Sequence, residues 1–236
     1  MTRSFRIAAL VATLAAALVV AAPAGSANEC EGLQVCVPIV GPWVSVPAAG
    51  GAARPEVRWQ LTCPRSFIVG GLDARLTERA IDVSFVGLLG SPVNPGITTS
   101  RSVTFVATHV GRSSGAPSFK PYIGCMPARG GGSRVPTSVS VFPPGQPATL
   151  RSKTVRVRPG AATVNLGCRS GARLVGASHA FGFFTRTPPS ASLVSSVSGT
   201  RAVRGGKVVV VSLRGDAEVG GVRAVVQVQA LCSRSR

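Results

Sequence analysis

Histidines and carboxylates, the residues that could perform acid–base or nucleophilic catalysis, are scarce in this sequence of 236 residues. There are two histidines, His109 and His179, and eight acidic residues spread along the chain. A serine hydrolase needs a base beside its nucleophile and an acid that orients the base, but no Gly-x-Ser-x-Gly turn is present. Both histidines are better explained as packed or strand-end residues than as bases, so we predict no catalytic residue.

Metal and cofactor sites also lack a sequence signature. The cysteines are too widely spaced for a zinc ribbon, and no calcium loop with acids at positions 1, 3, 5 and 12 is present. The glycines at 130–132 do not open a helix as a phosphate-binding loop does. We therefore predict neither a metal nor a cofactor.

Basic residues are the strongest candidates for a binding function. The chain has 26 Lys and Arg against 8 Asp and Glu, which gives a formal charge of +18. Four of them fall within eight residues and form the predicted anion-binding site: Arg151, Lys153, Arg156 and Arg158. In a strand that begins at Thr154, Arg156 and Arg158 point to one face and the valines between them to the other.

A basic surface of this kind attracts polyanions, and its binding weakens as the salt concentration rises. We predict anionic polymers of the cell envelope as partners, with teichoic acids, lipid headgroups and extracellular DNA as candidates. Specific nucleic-acid binding is not predicted, because aromatic side chains for base stacking are not interleaved with the arginines. Only three of the basic residues are Lys, a bias typical of GC-rich genomes, so composition alone is the alternative explanation of the charge.

The N-terminus has the pattern of a secretory signal peptide. Two arginines precede an almost entirely apolar run over residues 7–22, and small residues follow it. This run is shorter than the roughly 20 residues that a membrane-spanning helix needs. We predict cleavage after Ala24 or Ala27, with residues 1–27 as the signal peptide. The mature protein is then secreted, into the medium or the cell wall, without a transmembrane segment.

All six cysteines lie beyond this segment: Cys30, Cys36, Cys63, Cys125, Cys168 and Cys232. An even number of cysteines after a signal peptide predicts disulfides that form in an oxidising compartment. Six cysteines allow 15 pairings, so the pairing needs a further argument.

An internal repeat supplies that argument. The segments VRWQLTC at 57–63 and ATVNLGC at 162–168 both alternate apolar and polar residues and end on Leu-x-Cys. The next cysteine follows 62 residues after Cys63 and 64 residues after Cys168. The matching spacings predict one fold used twice and favour the pairs Cys63–Cys125, Cys168–Cys232 and Cys30–Cys36. The alternative is a chance match, with disulfides that cross-link the two copies.

The other apolar segments are short alternating runs separated by Gly and Pro, which is typical of a sandwich or barrel. We predict an all-β fold of two related disulfide-stapled β-sandwich modules, Ig-like or jelly-roll-like, with little helix. The predicted boundaries are an N-terminal Cys loop at 28–37, a first module at 38–126, a Gly/Pro-rich linker at 127–149 and a second module at 150–236. Pairing of the two modules into one continuous sheet stays open.

The string Cys-Pro-x-x-x-x-Val-Gly-Gly over residues 63–71, with a strand before it and a closing cysteine, resembles repeated modules of uncharacterised secreted actinobacterial proteins. The second copy departs from it at Arg169, where the first has Pro, and at Ala177, where the first has Gly. The resemblance covers most of the mature chain. It implies repeated β modules and no particular activity.

These observations together predict a secreted, non-enzymatic protein of the cell envelope or medium that binds anionic envelope polymers. Two other classes stay open. One is a secreted hydrolase with a site at the module interface, built from one histidine and loop serines. The other is an adhesion or inhibitor module that acts through an exposed loop such as Ser91 to Thr99.

Overall fold

The computed structural model describes residues 29–31, 33, 35–48, 55–87, 101–111, 115–128 and 148–234. The predicted signal peptide, most of the predicted linker and the loop at 91–99 lie outside these described residues. Nearly all of the regular structure is β-strand, so the predicted all-β, disulfide-stapled, sandwich-like fold is confirmed. Among the described residues, no helix has the length and apolar character needed to cross a lipid bilayer.

The strands fall into two halves of the chain. The first half, residues 29–128, contains β1 (Val37–Val40), β2 (Trp43–Ser45), β3 (Val57–Thr62), β4 (Phe67–Leu76), β5 (Ile81–Val86), β6 (Ser102–His109) and β7 (Ser118–Pro127). The second half, residues 148–234, contains β8 (Thr149–Arg156), β9 (Gly160–Gly167), β10 (Ala172–Phe184), α1 (Ala191–Ser195), β11 (Val197–Arg204), β12 (Val208–Gly215), a 3-10 helix (Ala217–Gly221) and β13 (Arg223–Arg234).

Each half has a small antiparallel sheet of three strands. The order is β3-β6-β5 in the first half and β9-β12-β11 in the second. These strands form because apolar residues alternate with polar ones: in β3, Val57, Trp59 and Leu61 are buried while Thr62 is exposed. The alternation that the sequence predicted for this strand is therefore confirmed.

A single seven-stranded sheet joins the two halves. Strand β7 pairs with β4 along one edge and with β1 and β2 along the other. Strand β2 then pairs with β10, where Val44 faces Gly182 and Trp43 faces Phe183. The sheet continues through β13 to the edge strand β8. The continuous sheet that the sequence left open is therefore present.

The same strand pairings occur in both halves. Strands β4, β7 and β2 pair as β10, β13 and β8 do. The register shifts in both hairpins at the matching point, between Val69 and Gly71 in β4 and between Leu174 and Gly176 in β10. Val69 lies opposite Cys125, and Leu174 lies opposite Cys232.

The disulfides occupy equivalent positions in the two halves. Cys63–Cys125 and Cys168–Cys232 each connect the residue after the first strand of the small sheet to the last strand of the half, with Cα atoms 5.7 Å apart. The third bridge is Cys30–Cys36. These are the three pairs that the repeat favoured.

The small sheets cover opposite faces of the shared sheet. In β13, Val226 and Val228 belong to the core of the second half, whereas Val225, directly before Val226, belongs to the core of the first half. Because successive residues of a strand point to opposite faces, each small sheet packs on its own face. Strand β13 is therefore buried on both faces, including Gln227 and Gln229, which are 4% and 1% exposed.

At positions 71 and 182, neighbouring atoms approach the backbone so closely that only glycine fits. A side chain at Gly182 would meet Pro42 Cγ at 2.5 Å and Trp59 Cη2 at 2.9 Å, so glycine lets the first half pack closely against β10. A side chain at Gly71 would collide with the backbone of Glu29, which lies across β4 beside the Cys30–Cys36 loop.

The side chain of Gln227, in the second half, forms two hydrogen bonds with the backbone of Gln60 in the first half. Its Oε1 accepts from the backbone N–H of Gln60 at 2.6 Å, and its Nε2 donates to the carbonyl of the same residue at 3.1 Å. Strand β3 pairs with β6 along its other edge. The amide therefore occupies the place of a neighbouring strand and satisfies both backbone groups of Gln60.

Candidate anion-binding site

Positive charge is concentrated in the second half of the sequence. Residues 150–236 contain 14 Lys and Arg against 2 acidic residues, whereas residues 38–126 contain 8 against 4. Because the field of a charged surface steers ions of the opposite sign, a polyanion that approaches this protein is drawn to the second half.

The structure divides the four predicted anion-binding residues between two faces. Strand β8 covers Thr149–Arg156, so it begins five residues earlier than expected and ends before Arg158. Arg151 and Lys153 lie opposite Ala230 and Val228 of β13, on the face of the second core. Arg156 lies opposite Val225, on the other face. The expected single cluster is therefore split.

Arg151 lies instead at a small cavity at the disulfide end of the second half. This cavity has a volume of about 320 Å³ and is lined by Thr149, Leu150, Arg151, Arg169, Ser170, Ala172 and Cys232. The described lining contains two guanidinium groups and no acidic residue. Arg151 donates a hydrogen bond to the carbonyl of Gly167, directly before Cys168, which ties its guanidinium to the turn that carries Arg169.

This arrangement suits an anionic group with several oxygens. A guanidinium is planar, always charged and able to donate two parallel hydrogen bonds to a phosphate or carboxylate. The hydroxyl of Ser170 adds a further donor, and Leu150 contributes an apolar side chain to the lining. We infer that the cavity can hold a phosphate or carboxylate group without any acid to repel it.

Arg169 lines this cavity, and the sequence had not singled it out as a candidate site residue. It stands where the first copy has Pro64, directly after the disulfide cysteine. The only available signal was this departure from the Cys-Pro pattern. The pairing of β8 with β13, which brings Arg151 to the same place, could not be read from local spacing.

The two histidines occupy separate places. His109 ends β6 with no exposed surface, and its Nε2 lies 3.4 Å from Glu78 Oε1. His179 lies within β10, with its ring edge-on to Phe181 and the two ring centroids 5.7 Å apart. Neither histidine lines the 320 Å³ cavity. No group of three or more His, Cys, Asp or Glu that could hold a metal occurs in the described part of the chain.

His179 has a lowered pKa. Burial has the largest effect on the pKa of its imidazole and lowers it from the usual 6.5, and the positive charge of Arg201 lowers it further. A hydrogen bond with the backbone of Gly199 raises the pKa and partly opposes these two effects. The imidazole is therefore neutral in the folded protein at pH 7.

We expect His179 to make the protein less stable in mild acid. The unfolded chain takes up this proton near pH 6.5, whereas the folded state takes it up only at lower pH. The free energy of unfolding then falls as the pH drops through 6.5. Urea denaturation at pH 7.5 and 5.5 measures this loss. Between these two pH values, the free energy of unfolding should fall less for His179→Gln than for the unchanged protein. An equal loss in both would mean that His179 does not contribute.

No family model, no curated protein and no solved structure matches this chain.

Proposed function

We propose that this is a secreted, non-enzymatic protein that attaches to anionic polymers of the cell envelope through its second half. The apolar N-terminal segment with its two arginines supports secretion. Three disulfides support it as well, because such bonds persist in oxidising compartments outside the cytoplasm.

We also infer that the two halves arose by duplication of one module, of the kind seen in the secreted actinobacterial proteins that the Cys-Pro string resembles. The common strand pairings, the bulges at matching positions and the equivalent disulfides support this inference. A duplicated module can keep its fold in both copies while only one copy acquires a binding surface. The concentration of charge in the second half fits that division.

The main support for this proposal is the cavity lined by Arg151 and Arg169. It places two guanidinium groups without an acid in the half that has the larger charge excess. A repeating phosphodiester polymer, such as teichoic acid, can put one phosphate in this cavity and others on exposed basic residues such as Lys153 and Arg173. Each such contact releases counterions, which makes retention depend on salt.

The test is retention of the purified mature protein on bacterial cell walls over a salt gradient. We expect Arg151→Gln/Arg169→Gln to weaken wall binding by at least about tenfold, because two charge-assisted hydrogen bonds to the polymer are lost. The Arg156→Ser/Arg158→Ser variant removes equal charge from the other face and the end of β8, and it should have a smaller effect. Walls stripped of teichoic acid should retain none of these proteins.

Arg65→Gln/Arg79→Gln is the matched control, because it removes two exposed arginines from the first half. If this control weakens retention as much as Arg151→Gln/Arg169→Gln does, net charge alone governs binding and the cavity is not a site. Retention that does not respond to salt, or that survives removal of the teichoic acid, would also contradict the proposal.

The alternative classes receive no comparable support. A hydrolase at the interface of the halves needs a histidine in a cleft, and neither His109 nor His179 lines the 320 Å³ cavity. The interface cleft described below is likewise lined by neither histidine. The loop at 91–99, on which an adhesion module depends, lies outside the described residues.

A further inference from the structure

A second cavity lies where the two halves diverge, and we call it the interface cleft. Its volume is about 450 Å³, and its described lining is Glu56, Arg58, Leu150, Val175, Gly176, Ala177, Ser178, Arg201, Gln229 and Leu231. Cavities of this size between domains are the usual place for ligand sites. The cleft is separate from the proposed anion site except that Leu150 borders both.

The interface cleft reaches β10 along its edge as well as over one face, where Leu150, Gln229 and Leu231 of the neighbouring strands line it. Residues 175–178 are consecutive, and all four line the cleft. Successive side chains of a strand point to opposite faces, so four consecutive lining residues mean that the cleft runs along the backbone itself. An exposed strand edge presents unpaired N–H and C=O groups.

Among the described strands, none pairs with this part of β10. Strand β13 covers one edge of β10 over its whole length. On the other edge, β2 pairs only with Gly182 and Phe183. The N–H of Leu174, just before the segment, donates to the carbonyl of Gly206 in the turn after β11. The edge at residues 175–178 therefore lies between two contacts, the bond of Leu174 to Gly206 and the pairing of Gly182 with β2. Between these contacts, no described strand pairs with it.

The interface cleft has a mixed lining, with charged side chains on its walls and both polar and apolar side chains between them. Arg58 Nε lies 2.5 Å from Glu56 Oε1 on the wall formed by the first half, while Arg201 of β11 lies on the opposite wall. The lining thus has two guanidinium groups and one carboxylate. Val175, which is 48% exposed, joins Leu150 and Leu231 as apolar surface on which side chains can rest.

We propose that the interface cleft binds an extended acidic peptide segment as an added strand on β10. The main chain of the peptide bonds to the backbone of residues 175–178, a mode of recognition in which the backbone supplies affinity and alternate side chains supply specificity. An acidic side chain reaches Arg201, and the next side chain lies on the other face of the sheet beside Gly176 and Ser178. This site is independent of polymer binding at Arg151 and Arg169.

The probes are three acetylated and amidated hexapeptides that differ only in a central Glu, Gln or Lys within a Thr-Val-x-Val-Thr-Val frame. Binding to the full mature protein is measured by isothermal titration calorimetry. We expect the Glu peptide to bind at least tenfold more tightly than the Lys peptide. A fourth peptide, with Glu and N-methylated amides on one edge, should not bind because it cannot add to a strand.

Variants of the protein separate the role of Arg201 from general charge. Arg201→Gln should weaken binding of the Glu peptide about tenfold and leave the Gln peptide unchanged. Arg204→Gln is the control, because it removes an exposed arginine from the same strand without lining the cleft. Arg151→Gln/Arg169→Gln should bind the peptides normally, so failure of the polymer proposal and failure of this one are distinguishable.

Three results would overturn the proposal. Equal binding of the N-methylated peptide would exclude strand addition. Equal weakening by Arg201→Gln and Arg204→Gln would show that the peptide follows net charge. Absence of binding of all four peptides at millimolar concentration would mean that the interface cleft is not a peptide site.

Discussion

Replacing Cys63 and Cys125 by alanine is expected to lower the free energy of unfolding by about 4 kcal/mol, the effect of opening a loop of this length in the chain-entropy model. The bridge spans 62 residues and joins the small sheet of the first half to the shared sheet. Without it, the unfolded chain regains the freedom of that loop. Urea denaturation followed by tryptophan fluorescence measures the loss, because both tryptophans of the chain lie in the first half and are buried.

The other two bridges serve as controls. Cys168–Cys232 spans 64 residues, so its removal should lower the free energy of unfolding as much as removal of Cys63–Cys125 does. Far-UV circular dichroism follows unfolding in this case. Cys30–Cys36 spans only 6, and the same model gives about 2 kcal/mol for so short a loop. If removal of the short bridge lowers the free energy of unfolding as much as removal of a long one, the stabilisation comes from local packing rather than from loop closure.

Much of the fold followed from patterns that act locally or at a fixed spacing. Strand β3 alternates in burial because Val57, Trp59 and Leu61 meet one core while Thr62 faces solvent. The two long disulfides followed from spacing, since equal distances between cysteines indicate equivalent positions. The all-β class also followed from the sequence, because beyond residue 27 the apolar residues fall in short alternating runs between Gly and Pro.

The sequence does not show that β13 is buried on both of its faces. The alternation of Gln227 and Gln229 with valines indicates a strand with one polar, solvent-facing side. In the structure that side is covered by β3, which comes from the other half of the chain. A local pattern records whether a residue is polar, but not whether another layer supplies hydrogen bonds to it.

The candidate sites depended on topology in the same way. Four basic residues close in sequence were expected to form one surface, but strand alternation and the end of β8 distribute them over two faces. Arg169 and Arg151 meet because the turn after β9 lies beside the start of β8. The interface cleft combines residues of β3, β8, β10, β11 and β13. Residues that converge from distant strands leave no spacing that sequence analysis can detect.

The contact between Gln227 and Gln60 gives the second large expected effect. Gln227→Leu should lower the free energy of unfolding by about 2–4 kcal/mol, because it leaves the N–H and the carbonyl of Gln60 without their partner in a part-buried interface. The size of leucine is close to that of glutamine, so a cavity adds little. Urea denaturation measures the loss, and hydrogen exchange of the Gln60 amide should accelerate at least tenfold.

Gln229→Leu is the matched control, since Gln229 lies on the same face of β13, two residues further along. Its Nε2 donates to Gln227 Oε1, and its Oε1 accepts from Ser178, so neither bond involves the backbone of Gln60. This variant should be less destabilised and should leave exchange of the Gln60 amide unchanged. If exchange at Gln60 is the same in Gln227→Leu as in the unchanged protein, the amide does not replace a strand there. The halves would then be held by the pairing of β2 with β10, by the shared packing around Trp59 and Val225, and by other side-chain contacts such as that of Ser152 with Gln60.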